Sequence, residues 1–343
     1  MGEALETSHE ARRRASPNPW VGCVVVDPDG RIVGRGATEA PAPNGSGRHA
    51  EAVALDEAGD LARGATAYVT LEPCSHQGRT PPCAEHLVRV GVKRVVVATL
   101  DPDQNVSGGG IGLLQSAGVE TVLGVGAEAV EEYLAPYLVH RRTGRPLVIL
   151  KLAGTLDGRL AAPDGSSRWI TGPAAREDVH ELRADSDAVL VGAGTVRADD
   201  PELTVRLDGV SGEIRQPLRV VLGRAPSDAK VKPALEISGD LRGVLDDLGR
   251  RGILQLLVEG GAHVAGEFHR LGLVDLYVFY VAPALLGGDD GLALFAGPGA
   301  PTMTEAWRGR IAKVTQLGAD LRIDVEPSVE DDSRGRGLSI VDH

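Results

Sequence analysis

Arg48-His49-Ala50-Glu51, followed by Thr66-Ala67-Tyr68-Val69-Thr70-Leu71 and Glu72-Pro73-Cys74-Ser75-His76-Gln77-Gly78-Arg79-Thr80-Pro81-Pro82-Cys83, is the stretch that decides how the first half of this chain folds. It supplies one imidazole and two thiols, the nitrogen and sulfur donors that zinc prefers, with a carboxylate two residues past the imidazole. Ala50, Val53, Ala54 and Ala58 recur at helical spacing and Gly59 stops the run, so His49 and Glu51 fall in a first helical turn. Thr66 to Leu71 reads as a strand. A second helix starts near Cys83, carries Leu87, Val88 and Val90, and ends at Gly91. Both helix starts point amides and positive dipole ends at the motif, which favours thiolates.

Outward from this stretch the elements alternate. Met1 to Arg14 is weakly helical and is ended by Pro17-Asn18-Pro19. Trp20 to Val26 and Arg31 to Arg35 flank the turn residues Asp27-Pro28-Asp29-Gly30 and predict a hairpin. A strand from Lys93 to Thr99, a helix to Gly118, a strand to Leu123 and a helix from Glu128 to His140, broken at Pro136, complete an α/β pattern. The polar run from His140 to Pro146 marks a boundary, giving domains at 1–144 and 145–326 and a disordered tail at 327–343.

The second half restarts with a strand from Leu147 to Leu152, whose end carries Lys151. Helices are expected at Pro173 to Arg183, Gly194 to Arg197 (helix or turn), Leu241 to Arg250, and from Gly260-Gly261 to Leu271. Strands are expected at Ala188 to Val191, Leu218 to Leu222 and Leu254 to Val258, with one strand between Ala225 and Asp240 missing or reduced. Val274 to Val281, and the pair near Ile311 to Val314 and Leu321 to Val325, read as antiparallel edge strands; Leu276 to Val281 is the apolar edge on which a homo-oligomer, dimer or tetramer, would pair. This half lacks Gly-x-Gly-x-x-Gly, so no Rossmann fold is indicated.

A net charge of -12 and an aromatic content of 3% argue against nucleic acid as partner, which wants a basic face and stacking rings. A small molecule fits better. Of the three cysteines, Cys23 lies in an apolar run and reads as core, and an odd count points to reduced thiols in the cytoplasm. No run approaches the roughly 18 apolar residues of a membrane helix.

His49, Cys74 and Cys83 match the His/Cys/Cys zinc site of nucleobase deaminases, in which the Glu is not a ligand and moves protons, the role that falls to Glu51. Three protein ligands leave a fourth position for water. The bland alternative is a closed structural zinc site with His76 or His86 as fourth ligand. The usual signature has two residues between its cysteines, whereas eight separate Cys74 from Cys83.

With that insert, the chain resembles the bifunctional deaminase-reductase of riboflavin biosynthesis over about residues 1 to 325. The resemblance rests on Pro17-Asn18-Pro19 with Val21-Gly22, His49-Ala50-Glu51, Thr70 to Cys83 and Asp101-Pro102. In the second half it rests on Lys151-Leu152, Thr155-Leu156-Asp157-Gly158-Arg159, Ser167-x-Trp169-Ile170-Thr171, Ala198 to Arg206 and Val258-Glu259-Gly260-Gly261.

The resemblance implies a cytidine-deaminase-like three-layer α/β/α domain followed by a dihydrofolate-reductase-like α/β domain. It implies zinc-dependent deamination of a phosphoribosyl pyrimidine, then NADPH-dependent reduction of its ribosyl group to ribityl. Asn18, His76 and Arg79 would line the pyrimidine pocket. Ser167, Arg183, Leu203, Arg206 and Glu259 would meet the second substrate. Ala153, Trp169, Thr195, Asp199 and the turn Gly261, Ala262, His263, Val264, Ala265, Gly266 and Glu267 would meet NADPH, with Lys151 a possible proton donor. The competing readings are a zinc deaminase of another nucleoside or an RNA base with a non-reducing second domain, and a non-catalytic zinc-stapled protein.

Overall fold

The computed structural model describes residues 1–42, 47–75, 81–103, 107–207, 209 and 214–328; His76, Arg79 and the expected tail beyond Ser328 lie outside them. The chain divides into two compact units, Met1–Gly144 and a second that starts at Arg145.

The first unit carries α1 (Gly2–Arg12), β1 (Gly22–Val26), β2 (Ile32–Ala37), α2 (Ala50–Ala58), β3 (Thr66–Leu71), α3 (Cys83–Val90), β4 (Arg94–Thr99), α4 (Gly109–Ser116), β5 (Glu120–Leu123) and α5 (Ala127–Thr143). Its sheet has the order β2-β1-β3-β4-β5. The β1/β2 hairpin is antiparallel and turns at Gly30, whose φ of 84° suits a residue without a Cβ. β3, β4 and β5 run parallel.

Helices cover both faces, and small residues set how closely they approach. A Cβ at Gly22 would stand 1.9 Å from the carbonyl oxygen of Ala4 in α1. One at Gly34 would stand 2.1 Å from that of Ala54, and one at Gly36 2.2 Å from that of Ala50, both in α2. Gly36 pairs with Cys23 and Gly34 with Val25, whereas Gly22 pairs with Ala37, so α1 and α2 lie on opposite faces. Gly36→Ala is therefore expected to cost about 1–3 kcal/mol by overpacking. Ala50, on which it pushes, stands between His49 and Glu51, so the cost should fall on the first unit, read as an earlier melting transition of that unit.

The last helix of this unit corrects an expectation. α5 runs unbroken through Pro136. The proline costs about 3 kcal/mol by removing one backbone bond and crowding the preceding turn. Around it Leu134, Tyr137, Leu138 and Val139 are all buried, and at about 1.5–3 kcal/mol for each buried apolar side chain that face outweighs the lost bond.

The second unit carries β6 (Leu147–Thr155), β7 (Arg159–Ala161), α6 (Pro173–Ala184), β8 (Ala188–Gly192), α7 (Ala193–Asp199), β9 (Leu218–Leu222), β10 (Leu235–Ile237), α8 (Leu241–Arg250), β11 (Gln255–Val258), α9 (Ala262–Arg270), β12 (Leu276–Ala282), β13 (Leu292–Ala293), β14 (Gly309–Leu317) and β15 (Asp320–Pro327). Eight strands form one sheet in the order β10-β9-β8-β11-β6-β12-β15-β14, and β13 pairs with β7 separately. β8 and β11 are buried along their whole length, as strands covered on both faces must be, and both read as near-continuous apolar runs. α8 packs Leu241, Val244, Leu245 and Leu248 into the core, and the Asp240 carboxylate caps it by accepting the Gly243 amide at 2.9 Å.

Two further expectations change here. Neither β12 nor β15 is an edge strand: β12 pairs in parallel with β6 and antiparallel with β15, and β15 pairs with β14 on its other side. The apolar pattern of β12 came from burial inside the sheet, so its backbone has no ladder edge free for a second subunit. Lys151 likewise lies inside β6, which continues to Thr155, and not at a strand end. The reduced segment before Asp240 keeps a three-residue strand, β10, at one edge of the sheet.

Candidate functional site

β1 runs antiparallel to β3, and β4 parallel to it. The start of β1 and the ends of β3 and β4 therefore meet at one end of the sheet, which collects the half-buried Asn18 and Cys74 and the buried Asp101 from three separate stretches. The N-terminus of α2 brings His49, its N-cap residue, and Glu51, in its first turn. Cys83 opens α3.

The Nδ1 atom of His49 lies 3.5 Å from Cys74 Sγ and 3.3 Å from Cys83 Sγ, and all three donor atoms fall within 4.8 Å of one another. Tetrahedral zinc, with metal–sulfur bonds of about 2.3 Å and metal–nitrogen bonds of about 2.0 Å, requires N···S edges of about 3.5 Å. The donor set therefore fits zinc in both chemistry and spacing. Among the described residues His86 does not join the cluster.

The two thiols share one proton: a hydrogen bond from the Cys83 thiol holds Cys74 well below the usual thiol range, against burial and with help from His49 and the Cys83 amide, while the same bond and burial push Cys83 well above it. That amide, at the start of α3, points at Cys74 Sγ from 3.4 Å. Glu51 is buried at 4% exposure. Burial pushes its carboxyl up to about 6, partly countered by the charge of His49 and a hydrogen bond with Cys83. A carboxyl beside the donor cluster and near neutrality suits a group that accepts a proton and returns it.

In the second unit the parallel strands again end at one edge. Glu259 follows β11 directly, and its amide donates to the Leu190 carbonyl of β8 at 2.9 Å. Its carboxylate receives Arg183 Nε at 2.5 Å and Arg183 Nη2 at 3.0 Å, and lies 3.6 Å from Lys151 Nζ. All three side chains are largely buried, at 8% exposure for Glu259, 13% for Arg183 and 17% for Lys151. Burial alone would raise the Glu259 carboxyl, but the two cations outweigh it and hold it at about 2. Arg183, expected at the substrate, is thus shared between Glu259 and the Thr204 carbonyl, 3.1 Å from its Nη1.

The Gly261 amide donates to Thr195 Oγ1 at 3.2 Å, joining the start of α9 to α7. A Cβ at Gly260 would stand 2.6 Å from Val264, so the two glycines let strand and helix meet closely. Within the turn 261–267, Ala262, Ala265 and Gly266 are buried, Gly261 and Val264 half-buried, and His263 and Glu267 exposed. Arg168 Nη2 donates to the Asp199 carbonyl at 2.7 Å, which ties the half-buried Ser167 and the 71% exposed Trp169 to the end of α7. Ala153 lies on β6, two residues past Lys151. Leu203 is buried with a φ of 56°, a strained conformation for a branched side chain. Arg206 is exposed and pairs with Glu202 at 2.7 Å.

Sequence reasoning assigned no role to Asp157 and Arg159. The Asp157 carboxylate accepts the amides of Leu286 and Gly287 at 3.1 and 2.8 Å, and Arg159 donates to the carbonyls of Gly291 and Gly288 at 3.1 and 2.6 Å. Together they hold the 286–291 connection against the end of β6. The short Thr155 to Arg159 stretch signalled a turn, but its partners lie about 130 residues away.

Comparison with known proteins agrees with both halves. The profile of the RibD C-terminal domain matches residues 146–323, and that of the cytidine and deoxycytidylate deaminase zinc-binding region matches residues 1–99. The riboflavin biosynthesis protein RibD of Mycobacterium tuberculosis is 45% identical over 333 residues, covering 95% of this chain and 96% of that protein. The chain belongs to the RibD family. RibD of Escherichia coli K12 is 38% identical over 360 residues, covering 94% and 96%. Among solved structures, Acinetobacter baumannii RibD superposes with a TM-score of 0.88 at 40% identity, over 95% of this chain and 97% of that one. A diaminohydroxyphosphoribosylaminopyrimidine deaminase/5-amino-6-(5-phosphoribosylamino)uracil reductase from Thermotoga maritima gives a TM-score of 0.85 at 34% identity, over 96% and 97%.

Membership of the RibD family makes the chain a bifunctional enzyme of riboflavin biosynthesis, a zinc-dependent deaminase joined to an NADPH-dependent reductase acting on a small molecule. The first unit is cytidine-deaminase-like and the second is the dihydrofolate-reductase-like domain of the RibD family. The readings as an RNA or free-nucleoside deaminase and as a zinc staple are not favoured. Among the described residues no helix is long and apolar enough to cross a membrane.

Proposed function

We propose that the first unit, residues 1–144, removes the 2-amino group of 2,5-diamino-6-(5-phosphoribosylamino)pyrimidin-4(3H)-one, and that the second, 145–326, reduces the ribosyl group of the product to ribityl. The observation that carries the first step is the spacing of His49 Nδ1, Cys74 Sγ and Cys83 Sγ around the buried carboxyl of Glu51. Zinc held by those three atoms would supply Lewis acidity toward a water. Glu51 takes a proton from the water as its oxygen attacks the amine-bearing ring carbon and delivers it to the departing nitrogen, while the oxygen's remaining proton passes to the ring nitrogen, so that C–NH2 becomes C=O and ammonia leaves neutral. Asn18, His76 and Arg79 are proposed to hold the pyrimidine and its phosphate.

In the second step bound NADPH would supply the hydride that reduces the sugar's C1. The start of α9 at Gly261, joined to Thr195, supports a pyrophosphate seat formed by amides, with Ala153, Trp169 and Asp199 placed along the cofactor. Ser167, Leu203, Arg206 and the Arg183–Glu259 pair are assigned to substrate. Lys151 Nζ, 3.6 Å from the Glu259 carboxylate, is proposed to donate the proton to the sugar oxygen released on ring opening. A cytoplasmic setting keeps the two ligand thiols reduced. If subunits pair by a strand edge, the edge that supports it is β14, where Ile311 and Val314 are 61% and 54% exposed.

Both half-reactions and zinc content are to be measured on one preparation. The expected result is about one zinc per chain, ammonia release from the diaminopyrimidinone and NADPH oxidation by the deaminated product, with negligible turnover of cytidine or tRNA. Ammonia release that survives complete zinc removal would sink the first assignment, and absence of NADPH oxidation the second.

A further inference from the structure

Glu72 lies two residues before Cys74 and plays no part in the chemistry above. It is buried at 4% exposure just past the end of β3. Its carboxylate is clasped by backbone: Oε2 accepts the amides of Gly108 at 2.9 Å and Asp101 at 3.4 Å, and Oε1 those of Gly110 at 2.9 Å and Ile111 at 3.2 Å. Three of these donors belong to the N-cap and first turn of α4, so the chain fills its own helix-start anion position with its own carboxylate.

The contact between α4 and the metal-ligand turn is close on a second count. A Cβ at Gly110 would stand 1.8 Å from the carbonyl oxygen of Pro73, and one at Gly109 2.5 Å from Ser75 Oγ. The first turn of α4 therefore presses on the residues either side of Cys74. Residues 72–75 belong to no helix or strand, so this contact acts on where the Cys74 thiol lies together with the bonds from the Glu72 amide to the Thr99 carbonyl at 3.0 Å, the Ala84 amide to the Cys74 carbonyl at 3.1 Å and the Cys83 amide to Cys74 Sγ at 3.4 Å.

We propose that Glu72 is a positioning residue of the deaminase: clasped by the start of α4, it holds the Pro73–Ser75 turn so that Cys74 Sγ meets His49 and Cys83 at metal-binding distance. The proposal rests on the zinc reading of that cluster. A carboxylate is required because four amides point at it and it offers about four lone-pair sites. An amide in its place would turn a donor toward two of those amides and leave them buried without an acceptor.

The test uses the full-length protein stripped of metal. Zinc affinity is measured by competition with a chromophoric chelator, and cobalt(II) replaces zinc to report the thiolate charge-transfer band and the ligand-field bands. Glu72→Gln is expected to weaken zinc binding by about 10–100-fold, as loss of groups that orient ligands does, and to shift the cobalt spectrum, with far-UV circular dichroism and a cooperative melting transition of the first unit as the folding control and NADPH oxidation unchanged. Gly110→Ala presses on Pro73 from the other side and is expected to move both readouts the same way; it also carries the test if Glu72→Gln does not fold. Zinc affinity and cobalt spectra within twofold of wild type in the folded variants, even with a lowered melting temperature, would overturn the proposal and leave Glu72 a purely structural group. Failure of the underlying zinc reading looks different: wild-type protein would bind no zinc, or His49→Ala would bind it unchanged.

Discussion

Glu51→Gln is expected to slow ammonia release by about 10²–10⁴-fold or more, the range in which positioned acid–base groups contribute, while NADPH oxidation with the already deaminated substrate stays at the wild-type rate. The change is close to isosteric in a buried position beside the metal-ligand cluster, so zinc content should be unaffected and the loss should fall on kcat. An amide can still hydrogen-bond a water but cannot take its proton. Independence of the second activity follows from the placement of its candidate groups: Lys151, Arg183 and Glu259 all lie in the second compact unit. Ammonia release within a few-fold of wild type would remove Glu51 from the proton path, and parallel loss of both activities in a folded variant would contradict two independent sites.

The second large effect is expected at Glu259. Glu259→Gln leaves Arg183 and Lys151, at 13% and 17% exposure, without the carboxylate they share. Removing one partner of a buried ion cluster costs about 3–5 kcal/mol, because the remaining charges stay desolvated. The second unit should therefore melt earlier and NADPH oxidation should be largely lost, with ammonia release retained. Glu259→Asp keeps the charge and should recover part of the stability.

The same cluster sets a pH dependence. The Glu259 carboxyl is held at about 2 against an ordinary value of 4.5. A depressed carboxyl stabilises the fold fully above its ordinary value, and that contribution is lost as the pH falls from about 4.5 toward 2. Wild-type stability of this unit should fall across that window in urea titrations, and the Gln variant should lack this component. Equal slopes in the two proteins would mean the cluster does not stabilise the fold through its charge.

The local motifs were legible because each one's meaning is held within a few residues. His49 and Glu51 lie in one helical turn, Cys83 opens a helix after two prolines, and α8 runs over Leu241–Arg250 as expected. Misreadings arose where distant packing overrides a local rule. Pro136 breaks an isolated helix but not one whose neighbours are buried against the sheet, and the apolar run of β12 describes an interior strand and an edge strand equally well until its partners are known.

By itself, then, the sequence determined the chemistry of the first unit, the α/β class of both, and the family resemblance on which the reductase assignments stand. Zinc ligands, a proton carrier and helix starts are properties of residue type and short spacing. Only the tertiary structure decided which groups meet across long separations. Arg183 and Glu259, 76 positions apart, become one buried cluster with Lys151. Gly22, Gly34 and Gly36 become the points where two helices close on the sheet, and the carboxylate of Glu72 finds amides 29 to 39 residues on. No local pattern encodes these meetings, because what selects them is the burial of charge and backbone polar groups, and that burial exists only once the strands have been brought side by side.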